Sequence, residues 1–141
     1  MKLIESIDYF LNPLSFVANL INAWNVSGCS SEKECENSLY TFLHEKLPDI
    51  QVVQQYGRGR SQVDLMIDDK VMVELKYMLE STSEFQRLVG QLIDYKTWDK
   101  QIIIVLVGAT EPSLLKQLRS IVKREFSGLG FFEEDVLILE K

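Results

Sequence analysis

The chain has 141 residues, 46% of them hydrophobic, and its 15 Lys and Arg against 21 Asp and Glu leave a formal charge of −6. That length suits a single domain around one core, while the acidic balance excludes binding a polyanion by bulk electrostatics, so any nucleic acid must be met by local cations. Two cysteines, Cys29 and Cys35, are too few for a disulfide framework, and no apolar run nears the roughly 20 residues of a membrane span, so a cytoplasmic protein with reduced thiols and no membrane partner is expected.

Residues 3–24 carry Ile4, Ile7, Phe10, Leu14, Val17, Ile21 and Trp24 at a helical period broken near Asn12-Pro13. The spacing predicts two short helices, read as an N-terminal extension over residues 1–28 added to a core of residues 30–141. Ser30 or Ser31 then caps a helix whose apolar stripe runs Cys35, Leu39, Phe42, Leu43 and Leu47, and Pro48 ends it. Three strands follow, at 51–56, 62–67 and 71–76, separated by Gly57-Arg58-Gly59-Arg60 and Asp68-Asp69-Lys70, which makes an antiparallel meander. A helical period returns over 83–98. Gln101–Val107 is a continuous apolar run suited to a strand buried on both faces, Pro112 starts another helix, and a last strand covers 136–139. The order predicts an α/β sandwich with a mixed central sheet.

The chemistry concentrates in the hairpin from Gln62 to Lys76. If Asp68 to Lys70 form its turn, Ile67 pairs with Val71, Leu65 with Val73 and Asp64 with Glu74. One face is then wholly apolar, built from Val63, Leu65, Ile67, Val71, Val73 and Leu75, and burial of that face forces Asp64, Glu74 and Lys76 together on the other. Two facing carboxylates repel unless a cation lies between them. Their hard oxygens suit Mg²⁺ or Mn²⁺, with coordination positions left for water and a phosphate. Lys76 can offset charge growing on a phosphorane. The competing account is a solvated strand face, since a Glu-x-Lys triplet alone is weak.

Asp64, then Glu74-Leu75-Lys76 across a hairpin, then Gln91-Leu92-Ile93-Asp94-Tyr95 on the next helix, resembles the PD-(D/E)XK nuclease superfamily of restriction endonucleases and archaeal Holliday-junction resolvases. The resemblance spans roughly residues 30 to 110, and Val63 stands where the family name has proline. It implies a restriction-endonuclease-like three-layer sandwich and a metal-dependent nuclease, DNA favoured as substrate. Asp64 and Glu74 are then metal ligands and Lys76 the catalytic cation. Glu36 on the first core helix resembles the further acidic residue that completes such a site, with Glu32 as its rival. Gln91 resembles the glutamine that supports the site beside Tyr95. Arg87, Arg58, Arg60 and Tyr95 are the candidate nucleic-acid contacts, with exposed turn arginines and an ordinary amphipathic helix as the plain alternatives. Lys116, Arg119 and Lys123 read as a solvated helix face. The rival to catalysis is a noncatalytic module of the same fold that binds nucleic acid or protein. A homodimer is plausible, because one small site cuts one strand.

Overall fold

The computed structural model describes residues 3–126 and 135–141. Among them are five helices and one five-stranded sheet: α1 (Leu3–Leu11), α2 (Pro13–Ala23), α3 (Glu32–Lys46), β1 (Val52–Arg58), β2 (Ser61–Ile67), β3 (Val71–Tyr77), α4 (Thr82–Lys96), β4 (Gln101–Val107), α5 (Pro112–Glu125) and β5 (Val136–Glu140). The strands lie in chain order. β1, β2 and β3 pair antiparallel, and β3, β4 and β5 pair parallel, so the sheet is mixed as expected. No described helix is long and apolar enough to cross a membrane.

Local chemistry sets most of the boundaries. Asn12 caps α2 by accepting from Ser15 N with Pro13 in its first turn, and Ser31 caps α3 by accepting from Glu34 N. The β2–β3 turn closes with Lys70 N donating to Ile67 O at 2.9 Å, and Asp68 and Asp69 both adopt positive φ there, a conformation that Asp tolerates better than most residues.

Side-chain alternation divides the sheet between two apolar cores. Leu65, Ile67, Val71, Val73, Leu75, Ile103 and Val105 face the first, where α2 and α3 cover them with Val17, Ile21, Cys35, Leu39 and Leu43. Met66, Met72, Ile102, Ile104 and Leu106 face the second, under Leu88, Leu92 and Tyr95 of α4 and Leu114 and Leu118 of α5. Helices therefore cover both faces. Trp24 and Trp98 are buried packing residues, the former donating from Nε1 to Ser38 Oγ.

The hairpin departs from its expected form at the end that matters for chemistry. Ile67↔Val71 and Leu65↔Val73 pair as the alternation requires, but the β2–β3 ladder stops there and contains no Asp64↔Glu74 rung. Beyond Leu65, β2 continues against β1 alone, through Tyr56↔Val63 to Arg58↔Ser61. Gln55, opposite Asp64 between the Gln54↔Leu65 and Tyr56↔Val63 pairs, has φ 51°. Val63 consequently packs into the second core with Tyr56, not onto the apolar face holding Leu65 and Ile67.

Candidate functional site

The site lies where β2 and β3 part. Asp64 occupies the gap with its side chain, and its Oδ2 accepts from Leu75 N at 2.8 Å, so a carboxylate substitutes for the missing ladder acceptor. Glu74 is only 1% exposed, and its Oε2 accepts from the Tyr95 phenol at 2.9 Å. The same phenol stands 2.6 Å from Gln62 O, so one proton serves two acceptors. Each carboxylate is thus anchored through one oxygen. The other oxygens face polar side chains: Asp64 Oδ1 lies 3.4 Å from Gln55 Nε2, and Glu74 Oε1 lies 3.7 Å from Lys76 Nζ.

Burial dominates the electrostatics. Desolvation pushes the Glu74 carboxyl up to about 8, with the nearby Asp64 charge adding to it and Lys76 and the Tyr95 hydrogen bond opposing it. Asp64 is also raised by desolvation, with the Leu75 amide opposing and the charge of Glu36 reinforcing. Two desolvated carboxyls that resist ionising beside one another are a donor set that a divalent cation would relieve, and their oxygens are the hard ligands that Mg²⁺ or Mn²⁺ takes. Lys76 sits at the edge, 3.5 Å from Glu32 Oε1 as well as beside Glu74.

The expected trio of Asp64, Glu74 and Glu36 is not assembled. Among the described residues no three His, Cys, Asp or Glu side chains form a group able to hold a metal ion. The Gln55 amide accounts for this, because it hydrogen-bonds Glu36 Oε1 as well as approaching Asp64 and so lies between the two acids. Glu36, 3% exposed, is further held by Lys33 Nζ at 2.7 Å and by Gln54 Nε2 at 3.5 Å. Of the two rival acids on α3, Glu36 is therefore placed toward Asp64 and Glu32 toward Lys76.

Gln91 lies one turn before Tyr95 on α4, and its Oε1 is buried with no hydrogen-bond partner among the described residues. Buried acceptors normally have a donor. Tyr95 itself cannot contact nucleic acid as expected: it is fully buried, its ring packed against Trp98 and its hydroxyl committed to Glu74 and Gln62. An aromatic at that helical position completes the second core, and burial overrides its use as a stacking surface. Arg60 in the β1–β2 turn and Arg87 on α4 are exposed, while the side chain of Arg58, at the end of β1, lies outside the described residues. On α5, Arg119 pairs with Glu140 at 3.0 Å, in keeping with a solvated face.

Gln55 and Lys33 are the residues that sequence reasoning missed. The signal for Gln55 was the polar pair Gln54-Gln55, which breaks apolar alternation in the middle of a strand. Nothing in the residue type announces its positive φ.

No protein-family model matches the chain, and no curated protein matches it. Among solved structures, the chain is similar to SfsA of Pyrococcus furiosus in complex with Ca²⁺, at 19% identity and a TM-score of 0.45. The match takes in 77% of this chain and 56% of that one, so the chain spans little more than half the length of the protein it resembles.

Proposed function

We propose that this chain is a metal-dependent nuclease of the PD-(D/E)XK type on a restriction-endonuclease-like three-layer sandwich, hydrolysing phosphodiester bonds of nucleic acid, with DNA as the favoured substrate and water as nucleophile. The observation that carries the reading is the meeting of Asp64, Glu74 and Lys76 at the parting of β2 and β3, with each carboxylate anchored through one oxygen and Glu74 almost wholly buried. Asp64 and Glu74 would hold the cation. A bound Mg²⁺ or Mn²⁺ supplies positive charge to polarise the phosphate and lowers the pKa of a water beside it. Tyr95 fixes the Glu74 carboxylate, and the Leu75 amide fixes Asp64. Lys76, between Glu32 and Glu74, offers its ammonium to the charge that develops on the phosphoryl oxygens. Gln91 Oε1, an acceptor lacking a donor, suits a water molecule that must be aimed. Exposed Arg60 and Arg87 meet backbone phosphates, which the acidic chain as a whole repels.

A noncatalytic binding module of the same fold is the second reading. It is favoured by the separation of Glu36 from the other acids and the lack of a three-carboxylate group among the described residues. Cleavage of single-stranded, duplex and branched DNA and RNA with Mg²⁺ or Mn²⁺, for the native chain, Glu74→Gln and Lys76→Ala, separates the two. Metal-dependent cutting that falls at least about a hundredfold in both variants, the scale of a lost electrostatic contribution, supports the nuclease. Cutting that survives both substitutions sinks it, and binding without cutting by the native chain moves the assignment to the module.

A further inference from the structure

Strand alternation that puts Val52 and Gln54 of β1 on the side of the first core should put Tyr56 there too. Val52 does pack in that core, and Gln54 Nε2 reaches Asn37 Oδ1 of α3 at 2.8 Å, but Tyr56 packs against the second core. The face therefore changes at Gln55, the residue with φ 51°. As a result two successive side chains of one strand both reach Glu36, Gln54 at Oε2 and Gln55 at Oε1. A left-handed residue other than glycine inside a strand is strained, and such strain collects where a side chain must be held at a site.

Gln55 Nε2 hydrogen-bonds Glu36 Oε1 and lies 3.4 Å from Asp64 Oδ1. Both neighbours are carboxylate oxygens, which only accept, so the amide offers them its two N–H bonds, one each. Partial positive charge thus stands between two acids, where a cation would otherwise relieve their repulsion. Asp64 Oδ2 is already committed to Leu75 N, which leaves Oδ1 as the oxygen that a cation would have to take from the amide. We propose that Gln55 is a positioning residue that stands in for the cation: its amide holds Asp64 and Glu36 in the metal-free chain, and Mg²⁺ or Mn²⁺ has to displace it to enter. Gln55 then sets the free metal concentration at which the site fills. The proposal rests on the reading of Asp64 and Glu74 as the residues that hold the cation. An interaction made only in the empty state subtracts from the affinity of the ligand that breaks it. Removing the amide therefore strengthens metal binding, the reverse of losing a ligand. Gln55 is exposed, so its side chain can give way without opening the core.

Mn²⁺ titration of the full chain without nucleic acid, the free ion counted by electron paramagnetic resonance, tests this on the native protein, Gln55→Met, Gln55→Gly and Gln54→Met. Folding is checked by circular dichroism. Methionine keeps the reach of glutamine and has no N–H to give, whereas glycine relieves the left-handed backbone, so the two variants share only the lost amide. Both are expected to bind Mn²⁺ at least about threefold more tightly than the native chain, a modest share of what a hydrogen bond to a charged group is worth. Gln54 meets the other oxygen of Glu36, and Gln54→Met is expected to stay below that gain. A smaller gain in either Gln55 variant overturns the proposal, as does a loss, which would make the amide a ligand. An equal gain from Gln54→Met also overturns it, by reducing the effect to a loosened α3. Should the native chain take up no Mn²⁺, binding that appears in the Gln55 variants supports the proposal, and its absence from them overturns it. The nuclease reading is decided separately, by the loss of cutting in Glu74→Gln and Lys76→Ala.

Discussion

Gln55 adopts φ 51° in the middle of β1, where a strand residue is ordinarily extended. A left-handed conformation costs an L-residue about 1–2 kcal/mol and costs glycine almost nothing. Glycine in turn loses about 0.5–1 kcal/mol more than alanine through the freedom it surrenders on folding. Comparing Gln55→Gly with Gln55→Ala cancels the lost amide contacts and leaves only the backbone, so glycine should be the more stable by about 0.5–1 kcal/mol. In a domain of this size that is about 2–4 °C in Tm. At the adjacent Gln54, which is not among the positive-φ residues, the same pair of substitutions should show the opposite sign. Thermal unfolding of the four variants, followed by circular dichroism, decides the matter. If Gln55→Ala is at least as stable as Gln55→Gly, the strained backbone is not there, and the account of Gln55 as the residue wedged between Glu36 and Asp64 fails with it.

The raised Glu74 carboxyl fixes the sign of a pH effect: the folded chain keeps a proton up to about 8 that the unfolded chain releases near 4.5, so metal-free stability should fall as pH rises between those values. Urea midpoints measured in chelator should trace that decline, and Glu74→Gln should flatten it. Saturating Mn²⁺ should do the same for the native chain, whereas a native profile without slope contradicts the buried pair. Tyr95→Phe removes the donor to both Glu74 and Gln62 O and should cost about 1–3 kcal/mol; because the phenol opposes the upward shift of Glu74, the decline should still begin near 4.5 and extend to higher pH. Replacing Arg60 or Arg87 with alanine should weaken nucleic-acid binding and reduce its salt dependence by about one ion per lost phosphate contact, with metal binding unchanged by calorimetry.

The elements legible from the sequence were those whose hydrophobic period and punctuation agree. Gln101–Val107 coincides with β4, Asn12-Pro13 divides α1 from α2, and Ser31 caps α3. The core half of the hairpin register was equally legible, because a slip of one residue would send Leu65, Ile67, Val71 and Val73 to the wrong face. Legibility ended where side chains compete with main chain. Alternation assigns Val63 to the face of Leu65, but the backbone turns at Gln55 and β2 leaves β3, and neither event is written in residue type. Asp64 filling a ladder position is likewise invisible to a pattern that treats side chains as outward markers. Tyr95 was found as a position and misread in use: its helical interval matches both a supporting residue and a contact surface, and only packing against Trp98 decides between them. The outward stripe of α1 shows in sequence only as the helical period of an N-terminal extension, since periodicity reveals that a face is apolar and not what it faces.

Because the Asp64 carboxylate serves as a rung of the sheet, substitutions in the proposed site are unequal in what they do to the fold. Substitution at Lys76 removes a charge from the edge of the site, and substitution at Glu74 removes a carboxyl that burial disfavours in its charged form; neither takes the acceptor from the Leu75 amide. Substitution at Asp64 strips the Leu75 amide of its acceptor and loosens the hairpin itself. Related chains without the proposed activity should therefore lack the lysine or the glutamate first and keep the aspartate for its architectural duty. An aspartate at this place in a related chain is then a mark of shared construction, and the pair across from it is where the proposed activity would be kept or lost.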